Sequence, residues 1–280
     1  MEIFKGRKLI IATKHKKETI IAKHFEATLG TICEIAPSYD TDELGTFTGE
    51  IERTLSPIET VRAKCLNAMN KYGYDLGVAN EGSFGPHPTL YFIPADEELM
   101  IFIDKTNNIE ILVKIISTKT NFSSKNIKTR LELQNFLDQV GYPSHRIILR
   151  KEKKSNKNII KDLTELPEIK NAFDNFIKIN GEAYIETDMR AMNNPTRMKI
   201  IEETTLLLIE AIQSTCPKCH FPGFTPIQFI SGLPCALCSL PTKSIQSKIL
   251  GCKKCGYELK KEFKKNKPFE DPQFCDYCNP

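Results

Sequence analysis

The sequence predicts an α/β protein: a mixed, twisted sheet flanked by helices, followed by a small C-terminal domain of two zinc ribbons. Three observations carry this. Short apolar runs of strand length alternate with longer helix-like segments through the first part of the chain. Eight of the ten cysteines fall into four Cys-x-x-Cys pairs between residues 216 and 278. The chemically versatile side chains gather where strand-like runs end, the place where α/β folds put their ligands. The expected domains are an α/β domain of residues 1–213 and a double zinc-ribbon domain of residues 214–280.

Taken in order, residues 7–13 read as a buried strand ending in a polar turn, and residues 18–29 as a helix stopped by Gly30. Residues 31–36 suit a second strand. Residues 40–57 read as a loop rich in Asp, Thr, Gly and Ser. Ser56-Pro57-Ile58-Glu59 has the grammar of a helix start: a capping hydroxyl, proline at the first position and an acid in the first turn. That helix runs to about Tyr72. Residues 76–79 form a short strand, residues 80–88 a loop, and residues 90–93, 99–104 and 109–118 further strands. A helix over 131–140, a strand over 146–150, a lysine-rich connection over 151–158 and helices over 166–176 and 196–213 complete the domain.

The cysteine pairs are the sharpest signal. Cys216/Cys219, Cys235/Cys238, Cys252/Cys255 and Cys275/Cys278 are separated by 15, 13 and 19 residues. Cys-x-x-Cys lets two thiolates reach one ion from a tight turn, and two such turns complete a tetrahedron. Four copies fit zinc better than redox chemistry, which normally uses one. Sequential pairing is the expectation: one site from Cys216, Cys219, Cys235 and Cys238, a second from the other four. A cross-braced arrangement, first pair with third, is the alternative. With four sulfurs each, both zincs are structural, because no position stays open for water. Cys33 and Cys65 read as small apolar core residues.

Composition sets the frame. The chain has 280 residues, 40% hydrophobic and 26% charged, as in an ordinary globular protein. No apolar run reaches the roughly 20 residues of a membrane helix, and the N-terminal apolar stretch is too short for an export signal. The expected compartment is the cytoplasm and no membrane partner is expected. The formal charge of +4 hides an asymmetry: residues 214–280 carry ten lysines against five acids. Two zinc ions in all-thiolate sites, each of net charge −2, offset most of that excess.

Four polar segments can carry chemistry: residues 13–18, 40–50, 80–88, and 186–190 continuing to 194–197. Carboxylates such as Asp42, Glu50, Glu59 and Glu81 suit a hard cation. Lys14, Lys17, Lys64, Arg190 and Arg197 suit phosphate. Gly82 and Gly85 would let a ligand approach the backbone. Together they suit metal-assisted attack on a phosphoanhydride.

Two resemblances follow from particular residues. Ile11-Ala-Thr-Lys-His15, Leu44-Gly-Thr-Phe-Thr-Gly-Glu50, Glu81-Gly-Ser-Phe-Gly-Pro-His-Pro88, Glu186-Thr-Asp-Met-Arg-Ala191, Asn194-Pro-Thr-Arg-Met198 and Cys275-Asp-Tyr-Cys-Asn-Pro280 resemble an uncharacterised bacterial family of unknown function over nearly the whole chain. The first 90 residues also resemble, distantly, inosine triphosphatases and related purine nucleotide pyrophosphatases. The matching features are Ala12-Thr13 with His15 and Lys17, Glu59 with Lys64 five residues later, Asn80-Glu81-Gly82-Ser83, and loosely Asn194-Pro-Thr-Arg197. The departures are His15 for the usual Asn, the Lys displaced to Lys17, and Asn80 for one acid of a pair.

That likeness implies an inosine-triphosphatase-like core and a Mg²⁺-dependent nucleotide phosphohydrolase. Glu50, Glu59, Lys64 and Glu81 would be catalytic, with Mg²⁺ on Glu59 and Glu81. Thr13, His15, Lys17, Ser83, His87, Arg190 and Arg197 would bind a nucleotide or other phosphate-bearing small molecule. The competing expectation is a non-catalytic nucleotide-sensing module whose zinc ribbons bind nucleic acid or protein. The cluster Lys253, Lys254, Lys260, Lys261, Lys264, Lys265 and Lys267 would then supply the basic surface, although such charge runs are usually solvated faces.

Overall fold

The computed structural model describes residues 1–37, 55–153, 158–262 and 268–279. The chain divides into two compact units, Met1–Ile209 and Glu210–Pro280.

Unit 1 is mixed α/β and holds two sheets. The first contains β1 (Lys8–Ala12), β2 (Ile32–Ile35), β3 (Leu76–Pro86), β4 (Pro94–Asp104) and β5 (Ile109–Ser117), in the order β2-β1-β3-β4-β5. β1 is parallel to both its neighbours, whereas β3, β4 and β5 form an antiparallel meander. Helix α1 (Glu18–Leu29) ends at Gly30, whose φ of 68° is the left-handed cap that glycine adopts without steric cost. Helix α2 (Pro57–Tyr72) starts with a full capping box: Ser56 Oγ accepts from the Glu59 N–H, and the Glu59 carboxylate accepts from the Ser56 N–H at 2.9 Å.

The two faces of this sheet are buried by different helices. Val61, Cys65, Ala68 and Met69 of α2 pack on Ile10, Ala12, Ala79, Leu99, Ile101 and Ile103. Gly77 permits that contact, since a Cβ there would lie 2.7 Å from Met69. On the other face Phe102 meets Phe4 and Phe25, and Met100 meets Thr205 of α5 (Pro195–Gln213).

The second sheet contains β6 (Ser124–Ile127), β7 (Ile147–Arg150), β8 (Ile159–Ile160) and β9 (Ala183–Thr187), all antiparallel, in the order β6-β9-β7-β8. Helices α3 (Arg130–Val140) and α4 (Leu166–Asn180) cover one face through Phe136, Leu137, Phe173 and Phe176.

Two expectations for unit 1 are corrected. Residues 80–86 are not a loop: β3 continues through them, paired residue by residue with β4 as far as Pro86↔Pro94. Residues 90–93 are not a strand but the tip joining β3 to β4, with Tyr91 and Phe92 exposed.

Unit 2 is built on an antiparallel meander of β10 (Thr225–Ser231), β11 (Ile245–Gly251) and β12 (Glu258–Glu262). Its small core comprises Cys216, Phe224, Leu250 and Cys252, with Phe224 stacked on Tyr257 at 6.0 Å. Among the described residues, no helix is long and apolar enough to cross a membrane.

Candidate functional site

Unit 2 contains two four-cysteine clusters. Each pair sits in the same turn, in which the N–H four residues after the first cysteine donates to that cysteine's carbonyl. The distances are 2.8 Å for His220, 3.0 Å for Ser239, and 2.9 Å for both Gly256 and Asn279. The residue after the second cysteine is left-handed in three of the turns: His220, Ser239 and Gly256 have φ of 57°, 59° and 69°. Only the last is a glycine, so two turns hold a side chain in a conformation it disfavours.

Sequential pairing is overturned. Cys216, Cys219, Cys252 and Cys255 form one cluster, and Cys235, Cys238, Cys275 and Cys278 the other. The sheet explains this cross-brace. The first pair precedes β10 and the third lies between β11 and β12; Thr225↔Gly251 and Gly251↔Glu258 register them at one end of the meander. The second pair lies at the opposite end, where a Cys235↔Glu270 bridge draws in the fourth.

The clusters fit a tetrahedral ion. A Zn–S bond of about 2.3 Å requires S···S edges of about 3.8 Å. Observed edges are 3.7 Å (Cys216–Cys255), 3.5 Å (Cys219–Cys252), 3.8 Å (Cys235–Cys278) and 3.6 Å (Cys238–Cys275). Such all-sulfur sets suit zinc and leave no open position. At Cys235, backbone N–H groups of Cys238 and Leu237 favour the thiolate and bring its pKa down to about 7.

In unit 1 the notable feature is a set of buried charges around the middle of β3, just beyond the point where its parallel pairing with β1 ends. Cross-strand neighbours share a face, so Gly82 and Glu98 project together, as do Phe84 and Asp96. On that face Arg197, from the first turn of α5, donates from Nε to Glu98 Oε1 at 2.7 Å and from Nη1 to the Met189 carbonyl. Its guanidinium lies 4.8 Å from the Phe84 ring centroid. Asn80 donates to Glu98 Oε2 at 2.8 Å and accepts from Lys17 Nζ at 2.8 Å. On the opposite face Lys64 of α2 pairs with Glu81 at 2.5 Å. All these polar side chains are buried.

Burial, with the nearby Arg197 charge, lowers the Lys17 pKa to about 7. Burial opposes the Glu98 charge, yet Arg197 and Lys17 hold its pKa below the usual carboxylate range. Asp96 is pushed up to about 8 by burial and then by the charge on Glu98.

Of the expected site residues, Lys17 and Arg197 are thus joined through Asn80 and Glu98, while Lys64 and Glu81 pair on the opposite face, close enough for their charges to act on Lys17. Thr13 is buried at the end of β1, and His15 lies in the turn that follows, where it and Lys16 have φ of 67° and 61°. Two consecutive left-handed non-glycine residues mark backbone strain held by its surroundings. Ser83 is half-buried on the Glu81 side of β3. The others have different contacts. Glu59 is exposed and its carboxylate caps α2. His87 Nδ1 accepts from the Thr89 and Leu90 N–H groups, shaping the hairpin tip. Arg190 binds Asp188 and Asp162, both at 2.7 Å, which raises its pKa. Glu50, with Asp42 and the rest of that loop, lies outside the described residues.

Asp96 and Glu98 were missed by sequence reasoning. Both acids sit two residues apart at the start of a strand, and that spacing was the available signal. Gly82 also has a role different from the expected one. A Cβ there would lie 2.2 Å from Arg197 Nη2, so the absent side chain makes room for arginine rather than for a ligand.

No curated protein matches the chain. A family model described as a domain of unknown function (DUF6671) matches residues 64–280, which takes in Lys64, Glu81, Asp96, Glu98, Arg197 and all eight clustered cysteines. The chain therefore belongs to the DUF6671 family.

Proposed function

We propose that unit 1 is a Mg²⁺-dependent nucleotide phosphohydrolase of the nucleoside triphosphate pyrophosphatase kind, carried with a zinc-stabilised unit at residues 214–280 in a reducing, cytoplasmic setting. The observation that carries this is the gathering of Lys17, just before α1, with Lys64 of α2 and Arg197 of α5 around Glu81 and Glu98, just beyond the point where the parallel pairing of β1 with β3 ends. That position is the usual ligand crevice of an α/β sheet. The distant likeness of the first 90 residues to inosine triphosphatases supports the same reading.

In this proposal Lys17, Lys64 and Arg197 hold phosphate oxygens, and the strained His15–Lys16 turn presents backbone and Thr13 to them. Bound Mg²⁺ would neutralise charge on the phosphoanhydride. A cavity of about 280 Å³ between α1 and α5, lined by Ile20, Met192, Pro195 and Met198 together with Lys199 and Glu202, offers a seat for the nucleoside end. The test incubates the full-length, zinc-loaded protein with a panel of nucleoside triphosphates and Mg²⁺, reading phosphate and pyrophosphate separately. Turnover lost in Glu81→Gln is the expected result. No release from any nucleotide ends the hydrolase reading.

One observation favours a non-catalytic nucleotide-sensing module instead: Lys64 engages Glu81, and Arg197 engages Glu98, within the chain itself. Nucleotide binding by calorimetry without turnover would select it. In that case the exposed Leu237, Phe274 and Tyr277 of unit 2 suit protein docking, and Lys253, Lys254, Lys260 and Lys261 suit nucleic acid. A salt-dependent mobility shift with DNA or RNA separates the two.

A further inference from the structure

Asp96 differs from every other buried acid of the first sheet. It projects from β4 beside Glu98 and faces the α5 side, where Phe84 is its cross-strand neighbour. It is wholly excluded from solvent, no donor among the described residues reaches either carboxylate oxygen, and the group it can share a proton with is the Glu98 carboxyl. By contrast, Glu81 has Lys64, Glu98 has Arg197 and Asn80, and Asp104 has Arg7 and Asn107. Two buried carboxyl groups side by side cannot both stay charged unaided, which is why the Asp96 pKa rises to about 8; a shared proton or a cation completes such a pair. With no donor of the described chain reaching Asp96, a cation from outside can take the place of the shared proton.

The chemistry of that partner follows from the neighbours. Two hard carboxylate oxygens, with a second carboxylate two residues along the same face, match a hard divalent cation rather than a soft one. Arg197 and Lys17 do not take this role, since their contacts go to Glu98, the Met189 carbonyl and Asn80. They instead make the surroundings receptive to phosphate, and Mg²⁺ typically binds through one or two carboxylates together with substrate phosphates. The residues first expected to hold the metal are otherwise engaged: Glu59 caps α2 and Glu81 binds Lys64.

We propose that Asp96, flanked by Glu98, is the protein ligand of a hard divalent cation, Mg²⁺ or Mn²⁺, taken up together with a phosphate-bearing molecule. The phosphate part rests on the function proposed above; the cation contact does not.

The experiment titrates Mn²⁺ into the full-length, zinc-loaded protein, with and without inorganic pyrophosphate, and reads free Mn²⁺ by electron paramagnetic resonance. Asp96→Asn should weaken binding by more than about tenfold. Glu97→Gln, on the same strand but the opposite face, should leave it unchanged. Circular dichroism melts and zinc content verify that each variant is folded. An independent measurement needs no variant: Mn²⁺ should broaden the wild-type amide NMR signals of Phe84, Glu97 and Glu98 first. Absence of Mn²⁺ binding in both conditions, equal binding by Asp96→Asn, or broadening centred elsewhere overturns the proposal. If Mn²⁺ binds at Asp96 but no nucleotide is hydrolysed, the cation site stands and the hydrolase reading falls. If Asp96→Asn hydrolyses nucleotides at the wild-type rate, the reverse holds.

Discussion

Replacing Gly82 by alanine probes the buried network at its tightest point. The added Cβ would sit 2.2 Å from Arg197 Nη2, 3.1 Å from Arg197 Cζ and 2.8 Å from Glu98 Oε1. An ordinary contact needs at least 3.4 Å, so the guanidinium must retreat by about 1.2 Å. It has little room to do so, because Nε is held by Glu98, Nη1 by the Met189 carbonyl, and one face by Phe84. Overpacking a filled interior costs about 1–3 kcal/mol, and breaking a buried ion pair outright costs about 3–5 kcal/mol. A strained but partly retained pair should therefore cost about 2–4 kcal/mol. For a unit of this size that is a fall in melting temperature of roughly 5–15 °C. The assay is thermal and urea unfolding of the zinc-loaded protein followed by circular dichroism. Gly85→Ala serves as the internal comparison, because a Cβ there meets nothing within 4 Å. Its cost should stay below about 1 kcal/mol. If Gly82→Ala is no more destabilising than Gly85→Ala, the close approach of Arg197 to β3 is wrong.

Three further outcomes are expected. Cys216→Ala and Cys252→Ala should each abolish one zinc site and, combined, remove no second one, whereas Cys216→Ala with Cys235→Ala should abolish both; zinc content by mass spectrometry of the native protein decides. Lys17 has a folded pKa of about 7 against 10.5 for the ordinary amine. Between those values the unfolded chain holds the extra proton, so Lys17 makes stability rise with pH across that window by up to about 1.4 kcal/mol per unit, and contributes no slope outside it. Lys17→Met should remove this slope, and a wild-type-minus-variant stability curve that is flat from pH 7 to 10.5 would refute the burial of the amine. Lys64→Met takes the paired cation from the buried Glu81 carboxylate and should cost about 3–5 kcal/mol in urea unfolding, while the double change with Glu81→Leu should recover most of it.

What the sequence disclosed depended on how local the controlling physics was. Helix α2 was readable from Ser56, Pro57 and Glu59, because a capping box lies within four residues. The Cys-x-x-Cys turns were readable for the same reason. Strand β3 was not, beyond Ala79: Asn80-Glu-Gly-Ser-Phe-Gly-Pro86 has the composition of a loop, and only its pairing with β4 makes it a strand. Glu59 illustrates the opposite error. Its spacing from Lys64 matched a catalytic pattern, yet the same carboxylate also matched a cap, and the cap is the contact present. Pairing of the zinc ligands was beyond reach, since it follows from which ends of the β10–β11–β12 meander the turns occupy. Arg197 meets Glu98 across 99 positions of chain, and no local pattern announces such a partner.

The interleaving of the cysteine clusters makes unit 2 indivisible. The chain that closes the first cluster runs from Cys216 to Cys255, and the chain that closes the second runs from Cys235 to Cys278, so the two rings share everything between Cys235 and Cys255. In a sequential arrangement either half would be a self-contained knot that evolution or an engineer could delete, duplicate or swap. Here any break between Cys235 and Cys255 severs both rings at once. Loss of either ion frees one side of the segment the other ring depends on. The segment should therefore be gained and lost whole, even though each cluster keeps its own four ligands.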